Sequence, residues 1–490
     1  MSLTVALNSA RTSLMTAGTQ ASVVSRNIGG AQQDGYSRKS VLVATQPGNG
    51  AYVAGIQRAT STGLFYNVLK TAAASANQDA LYNGLQKIAA TTVDDPQQDH
   101  SPAAQLAKLK TALQQYATAP DNVTLAQSAV TAAKGVASSL NDATKTVQSV
   151  RADADADMAT SVSTINQLLA QFETVNTSIV KGTITGSDIT DYQDQRDSIL
   201  SKLSQEVGIT VATRANNDTV IYTDSGATLF ETNARSVTFN RTNGFSPGTS
   251  GNAVYVDGVP VTGGSAVMPI HGGKLAGLAT LRDTATVTYQ NQLDEIARGL
   301  VATFAESDQS GGGLPDVPGL FTYPGAPAIP PSGVISSGLA GSIFVNPSVD
   351  QSAGGNANLL RDGAISGNPA YRYNTTNAAG YSARLQQMVD RMAASRPFDP
   401  AAQAKPNGSL IDFAGSSVSW LQATRKNTSD EANYSQTLLE RSAEALSNVN
   451  GVNMDDEMSF MLQIERTFSA SSKLIATVDA MLKDLLATVR

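Results

Sequence analysis

Two short patterns contain residue types that could do chemistry. Gly244-Phe-Ser246-Pro-Gly248 matches the G-x-S-x-G string of serine hydrolases, in which the residue after the serine donates its backbone N–H to an oxyanion. Here that residue is Pro247, which has no N–H, so we interpret the string as a loop between strands. Asp153, Asp155 and Asp157 imitate the start of a calcium loop. No glycine follows at the sixth position, and Thr164 stands where a bidentate glutamate is needed, so we interpret these acids as a solvated helix face.

The remaining residue types that catalysis or metal binding would use are scarce. The two histidines, His100 and His271, are far apart, and neither belongs to an H-E-x-x-H helix. The chain has no cysteine, which excludes thiol catalysis, disulfides and thiolate metal sites. We therefore predict no catalytic residue, no cofactor and no metal site, and expect that the protein is not an enzyme.

Net charge and hydropathy exclude some classes of binding partner. The net charge of -7 and a pI near 5.0 argue against a nucleic-acid binder, which needs a basic face. No window reaches about 18 unbroken apolar residues, so we predict no contact with a membrane. The absence of cysteine is typical of a chain that is exported unfolded, yet the amphipathic amino end does not resemble a signal peptide. We expect export by a route that recognises something else.

The elements that could position a functional surface are the two ends of the chain. Apolar residues there recur at alternating steps of four and three, the spacing of a coiled-coil seam. The stripe at the carboxyl end is interrupted by Ser471. Neither helix can bury such a seam alone, so we predict that the two helices pair and then contact other subunits. The predicted interface residues are Leu3, Leu7, Leu14, Val24, Ile28, Met461, Ile464, Phe468, Ile475, Val478, Leu482 and Leu485.

The charges of the two ends are complementary. Before Asp79 the chain has six basic residues and one acidic residue, whereas from Met454 onward it has six acidic and four basic residues. Opposite charge of this kind favours pairing of the ends, although each exposed ion pair contributes little.

Between the ends, the periodicity changes twice. A short extended stretch is predicted around Val41 to Val53, and helical spacing dominates from about residue 60 to 206, with the clearest stripe from Val136 to Ile179. Alternation typical of strands follows, with a hairpin signal at Asp257-Gly258. The sequence predicts a mainly α protein with an inserted β domain: paired terminal coiled-coil helices, an elongated helical bundle and an outer β-rich domain. The predicted domains are a terminal coiled-coil domain (1–36 and 454–490) forming an inner tube, a helical bundle (37–207, 270–308 and 340–453), a β-rich insertion (208–269) and a Pro/Gly-rich loop (309–339).

Two motifs flank this body. After the first helix the chain reads Asn27-Ile-Gly-Gly-Ala-Gln-Gln-Asp-Gly35-Tyr36-Ser37-Arg38, and before the last helix it reads Gly451-Val452-Asn453-Met-Asp455-Asp-Glu457. Together they resemble the signatures of the axial proteins of the bacterial flagellum, the rod, hook and hook-associated proteins. The Gly-Tyr-Ser-Arg ending is closest to the members that join hook and filament. Gly29 and Gly30 replace the Ala-Asn of the family pattern and, if the chain is helical there, would loosen the helix end by roughly 1 kcal/mol each relative to alanine. Lys39 replaces the usual glutamine.

The resemblance implies a structural role in motility and flagellum assembly. Such a protein forms a junction ring between hook and filament and templates filament growth. Its implied partners are copies of itself, the hook protein, the third hook-associated protein on the filament side, and a cytoplasmic export chaperone at the C-terminal helix. The implied location is the secreted flagellum, reached through type III export after a transient cytoplasmic stage. Two alternatives stay open: another axial protein, such as the third hook-associated protein or the hook protein, and a non-flagellar secreted coiled-coil protein.

Overall fold

The computed structural model describes residues 3–33, 35–46, 50–92, 100–325 and 328–488, and helices dominate these ranges. The ends of the predicted terminal coiled-coil domain, residues 1, 2, 489 and 490, lie outside them, as do residues 326 and 327 of the predicted Pro/Gly-rich loop. The helices are α1 Leu3–Gly30, α2 Thr62–Thr92, α3 Pro102–Thr118, α4 Val123–Thr185, α5 Thr190–Glu206, α6 Lys274–Thr280, α7 Thr286–Thr303, α8 Leu339–Ser342, α9 Leu359–Asp362, α10 Ala383–Ala393, α11 Leu410–Asn450 and α12 Met454–Thr488.

The strands are short and antiparallel. They are β1 Lys39–Gln46, β2 Gly50–Arg58, β3 Ile209–Thr213, β4 Thr219–Thr223, β5 Thr228–Phe230, β6 Val237–Phe239, β7 Val254–Val256, β8 Val259–Pro260, β9 Phe321–Thr322, β10 Phe344–Val345, β11 Arg396–Pro397 and β12 Asn407–Gly408. Strands β3 to β8 form two three-stranded sheets, in the orders β3-β4-β5 and β6-β7-β8. The hairpin at Asp257-Gly258 joins β7 to β8, with positive φ at both residues. The predicted fold class, mainly α with an inserted β region, is confirmed.

The body is organised around α4. This helix has 63 residues, which at a rise of about 1.5 Å per residue gives a length of about 95 Å. Asn122 caps its first turn by accepting hydrogen bonds from the N–H groups of Thr124 and Leu125, and Gly186 ends it with a left-handed backbone. The predicted stripe from Val136 to Ile179 is buried except at the half-buried Val175. Helices α2, α3, α5, α6 and α7 pack along α4.

One continuous core runs through the body and both small sheets of the β region. The extended stretch predicted around Val41 to Val53 is the hairpin β1–β2, whose strand β2 packs against α1. Within the Pro/Gly-rich range 309–339, Leu320 and Phe321 are fully buried. Among the described helices, none is long and apolar enough to cross a membrane.

Candidate functional site: the terminal helix pair and its anchor

The terminal helices α1 and α12 pack against each other. Ala17 and Val24 on α1 form a buried cluster with Ile464 on α12, and Ala21, Ile28 and Met461 lie partly buried around it. Closer to the free ends of the helices, the Ser13 hydroxyl contacts the Ser471 hydroxyl at 3.1 Å. Residue numbers fall along α1 as they rise along α12, so the pair is antiparallel. Ser471, which interrupts the apolar stripe of α12, therefore lies opposite a serine of α1. The two hydroxyls form a hydrogen bond with each other.

The pair covers only part of the predicted seam. Val24, Ile464 and Val478 are buried, and Leu3, Leu7, Leu14, Ile28, Met461 and Ile475 are half-buried. In contrast, Phe468, Leu482 and Leu485 are 48%, 37% and 51% exposed. A single α1–α12 pair thus leaves three large apolar residues of the seam in solvent.

A second group of exposed apolar residues on α12 was not anticipated from the seam spacing. Its members are more than a third exposed and lie outside the four-and-three pattern: Met458, Phe460, Leu462, Leu474, Met481 and Leu486. The sequence contained the evidence for these residues, because α12 has more large apolar residues than a seam between two helices can bury. The described part of α12 is therefore apolar on more faces than α1 can cover.

The first motif folds into a compact turn around Asn27. The buried Asn27 amide donates to the Lys39 carbonyl at 2.8 Å, and its oxygen accepts from the Lys39 N–H at 2.9 Å and the Tyr36 hydroxyl at 3.0 Å. Asn27 therefore ties the end of α1 to the start of β1. Gly35 in this turn has φ +78°, a backbone conformation that favours glycine.

The structure corrects the expectation for the two glycines at the end of α1. Helix α1 continues through Gly29 and Gly30. A Cβ on Gly30 would lie 2.6 Å from the Tyr36 ring, whereas a Cβ on Gly29 would meet nothing within 4 Å. Gly30 is thus required by the packing of Tyr36, and only Gly29 fits the idea of a loosened helix end.

The first motif contacts Asn450, the residue directly before the second motif. The Arg38 N–H donates to the Asn450 carbonyl at 2.7 Å, and the Asn450 amide reaches the Ser37 hydroxyl at 3.5 Å. Asn453 caps α12 by accepting the N–H of Asp455 at 3.0 Å. Asp455, Asp456 and Glu457 occupy the first turn, where the helix dipole favours acids. Gly451 and Val452 form the link between α11 and α12. The ten motif residues thus mark the place where the terminal pair leaves the body.

An ion network that the sequence analysis missed anchors this place to α5. Lys39 Nζ lies 2.5 Å from Asp191 Oδ1 and 2.9 Å from Asp194 Oδ2, and its side chain is fully buried. Arg58 pairs with Asp194 at 3.1 Å and with Asp197 at 2.7 Å. Arg26 pairs with Asp188 and Asp191, both at 2.9 Å. Within one chain, three basic residues of the amino end therefore pair with α5 and the turn before it, and these three do not pair with α12.

The pKa values within the network reflect this pairing. Burial alone would lower the pKa of Lys39, but its hydrogen bonds to Asp191 and Asp194 outweigh burial and raise the pKa. Burial would raise the pKa of Asp191, yet the hydrogen bonds from Lys39 and Arg26 lower it. For Asp197, burial dominates and raises the pKa. Lys39 also lies 4.0 Å from the centre of the Tyr36 ring, which adds a cation–π contact.

The patterns with possible chemistry have structural roles. The interpretation of a solvated face is wrong for Asp155, which is 1% exposed and accepts from Arg282 at 2.7 Å, because the β insertion covers this side of α4. Asp153 and Asp157 are exposed. The Ser246 hydroxyl contacts the Thr249 hydroxyl at 2.8 Å. The N–H of His271 donates to Asp224 in a turn. Within the described ranges, no group of three or more His, Asp or Glu residues could hold a metal ion.

Comparisons with protein families identify two regions. Residues 91–321 match the model described as the flagellar hook-associated protein FlgK helical domain. Residues 445–488, which include the second motif and α12, match the C-terminal model of the flagellar basal body rod FlgEFG proteins.

Individual relatives agree with the family matches. The chain is 23% identical over 320 residues to flagellar hook-associated protein 1 of Escherichia coli K12, covering 62% of this chain and 57% of that protein. The same protein of Salmonella typhimurium is 23% identical over 312 residues, covering 61% of this chain and 55% of the relative. The chain thus spans little more than half the length of these relatives. The solved flagellar hook junction protein FlgK of Burkholderia pseudomallei superposes with a TM-score of 0.42 at 20% identity, over 53% of this chain and 46% of that one.

Proposed function

We propose, on the premise that residues 91–321 belong to the family of FlgK helical domains, that this chain is a structural protein of the bacterial flagellum that forms the junction ring between hook and filament. The family matches and the relatives in two species support the proposal, since both are flagellar axial or hook-associated proteins. The observation that carries the proposal is the FlgK helical domain, enclosed by a terminal helix pair that leaves part of its seam in solvent.

The exposed seam suggests how such a ring would assemble. Burying a large apolar side chain such as Leu482 or Leu485 contributes about 1.5–3 kcal/mol, which the isolated chain forgoes at these positions. In the ring, α12 of one subunit would cover these residues with the terminal helices of its neighbours. The paired helices would then form an inner tube with the body outside it, and the β insertion would face outward.

The anchor on α5 would set the direction of the pair. Because Lys39, Arg26 and Arg58 hold the motif turn against the body, the terminal pair would leave each subunit at a defined angle. A defined angle is what closing a ring of identical subunits requires, since each contact must repeat with the same rotation. The motif turn and the anchor would therefore be positioning elements for assembly, not catalytic ones.

The remaining parts of the proposal concern partners and export. The ring would bind the hook protein on one side and the third hook-associated protein on the other, and would template filament growth. An export chaperone would cover the exposed apolar residues of α12 in the cytoplasm and prevent premature assembly. The chain would then leave the cell through the flagellar type III apparatus. We expect no catalytic activity.

The first experiment is electron microscopy of isolated hook–basal bodies from a strain that lacks this gene, incubated with labelled purified protein. We expect label at the distal end of the hook only, and filament growth once the other components are added. Label along the shaft would instead indicate another axial role. Absence of binding by folded protein would favour a non-flagellar coiled-coil protein.

A matched pair of variants tests the mechanism in the same assay. Leu482→Asp with Leu485→Asp places charges on the exposed seam and should abolish binding, because neighbours could no longer bury these positions. Ile184→Asp with Val267→Asp makes the same chemical change at exposed positions of the body, 67% and 76% exposed, and should bind normally. Equal binding by both variants would rule out assembly through the seam.

A further inference from the structure

The loop between β6 and β7 contains two exposed residues, Asn243 and Gly244, between two points of attachment to α4. Before them, the Thr242 N–H and hydroxyl donate to the buried Asp155 carboxylate at 2.9 Å and 3.1 Å. After them, the Phe245 ring lies 4.7 Å from the Arg151 guanidinium. Neither the Asn243 side chain nor the Gly244 N–H has a hydrogen-bond partner among the residues that the structure describes.

An asparagine followed by a glycine can deamidate, because the backbone nitrogen of the second residue can attack the side-chain amide carbon of the first. Glycine has no Cβ, so nothing shields this nitrogen and the backbone can adopt the conformation that the attack needs. Within the described ranges, four such pairs begin at Asn83, Asn243, Asn407 and Asn450. Their local sequences are alike in this respect, so only their surroundings in the fold can distinguish them.

Three of the four pairs are held by the backbone around them. The pair at Asn83 lies inside α2, where the Gly84 N–H belongs to the helical hydrogen-bond ladder and Gly84 is buried. The pair at Asn407 forms β12, which pairs with β11. The Gly451 N–H donates to the Ser447 carbonyl at 2.7 Å. Attack at these three pairs requires the backbone to leave its place first, whereas the fourth pair meets no such restraint.

We propose that Asn243 is a site of spontaneous deamidation in the folded protein. The Gly244 nitrogen forms a bond to Asn243 Cγ, the Cγ–Nδ2 bond breaks, and the amide nitrogen leaves as ammonia with the proton of the Gly244 N–H. Water, the only co-reactant, then adds to either carbonyl of the resulting succinimide and gives aspartate or isoaspartate. The site is independent of the proposed function.

The reaction changes the charge of the β insertion without disturbing the core. Deamidation adds one carboxylate to a chain whose formal net charge is -7. Isoaspartate also lengthens the backbone by one methylene group, and a Cβ on Gly244 would meet nothing within 4 Å, so the loop has room for it. Because neither Asn243 nor Gly244 belongs to the buried core, the deamidated protein stays folded.

Peptide mass spectrometry of the folded protein, incubated at neutral pH and digested at mildly acidic pH, tests the site. Each Asn-Gly pair is followed by the gain of one dalton and by its isoaspartate content. We expect Asn243 to react at least about fivefold faster than Asn450, whose following N–H must first lose a hydrogen bond. In denaturant all four pairs should react at similar rates. If Asn243 reacted no faster than the other three in the folded protein, the proposal would be overturned.

Two glycine variants locate the reaction. Gly244→Val places a branched side chain beside the attacking nitrogen and should slow the deamidation of Asn243 several-fold, because it shields the nitrogen and stiffens the backbone. Gly264→Val makes the same change at another exposed glycine with open space and should leave the rate at Asn243 unchanged. An unchanged rate in Gly244→Val, or an equal slowing in both variants, would overturn the proposal.

Discussion

The helical body and the terminal helix pair bury their apolar residues to different extents. In the body, Leu140 on α4 and Leu293 on α7 are fully buried within one continuous core. On α12, Leu474 and Leu486 are 53% and 70% exposed, and the buried cluster shared with α1 contains only three residues. The body can thus fold on its own contacts, whereas α12 keeps many of its large apolar side chains available for other subunits. The same helical spacing serves folding in one region and assembly in the other.

Removing one core side chain from each region should separate them most clearly. Leu293→Ala should lower the free energy of unfolding of the body by about 2–5 kcal/mol, because a fully buried leucine leaves a cavity. Ile464→Ala should loosen the terminal pair but change the unfolding of the body by less than about 0.5 kcal/mol. Denaturant unfolding followed by the fluorescence of Trp420, the only tryptophan, reports on the body. Equal shifts for both variants would mean that the pair belongs to the core of the body.

Loss of the buried cation should detach the pair without unfolding the body. Lys39→Met removes one of the two cations that face Asp194 and should cost about 3 kcal/mol. This is the low end for a broken buried pair, because Asp194 keeps Arg58 and Asp191 is 63% exposed. Hydrogen exchange should accelerate in α1 and α12 and stay unchanged in α4. Lys426→Met removes an exposed pair with Asp430 and should change stability by less than about 0.5 kcal/mol. Unchanged exchange in α1 for Lys39→Met would show that the ion network does not hold the pair.

Acidification should act in opposite directions on Asp294 in the body and on Asp188 and Asp191 at the anchor. Burial raises the pKa of Asp294 in the body to about 6, so the folded state binds its proton more readily than the unfolded state does. Protonation of Asp294 should therefore stabilise the body by about 2 kcal/mol as pH falls from about 6 to 4. At the anchor, hydrogen bonds outweigh burial and lower the pKa values of Asp188 and Asp191. Their stabilisation is complete above the unfolded pKa near 4 and is lost as pH falls through their folded values.

Two measurements separate these effects. Calorimetry of the wild type and Asp294→Asn should show that the variant lacks the gain between pH 6 and 4. Because the chain has no cysteine, a Met15→Cys/Tyr192→Cys variant can be labelled specifically to follow the distance between α1 and α5. That distance should increase only below about pH 4. If α1 separated from α5 already near pH 6, the lowered pKa values of Asp188 and Asp191 could not be what holds the anchor together.

The smallest effects concern two adjacent glycines. Gly30→Ala should destabilise the motif turn by about 1–3 kcal/mol, since its Cβ would lie 2.6 Å from the Tyr36 ring. Gly29→Ala has open space at a helical position and should stabilise α1 by up to about 1 kcal/mol. Thermal unfolding of α1, followed by the distance labels described above, compares them. If both substitutions stabilised α1 equally, both glycines would simply loosen the helix end, and Gly30 would not be required by Tyr36.

Periodicity predicted the parts of the fold that depend on local spacing. The stripe from Val136 to Ile179 indicated a long buried helix, and Asp257-Gly258 indicated a hairpin, because both follow from one side chain every turn or every second residue. The same argument failed for Asp155, since its alternation with Asp153 and Asp157 carries no information about which neighbour covers α4. Seam residues were predicted as a set, but their burial in one chain was not.

The sequence by itself determined which helices would seek partners, where the two motifs stand and which chemistry the residue types exclude, because these depend on composition and local order. The tertiary structure decided that Ser13 faces Ser471, that Tyr36 requires Gly30, and that Lys39 is buried between Asp191 and Asp194. These contacts join residues as many as 458 positions apart. Whether a charged residue is buried, or a polar residue in an apolar stripe is satisfied, depends on the residue that folding places beside it. Local sequence does not specify that residue.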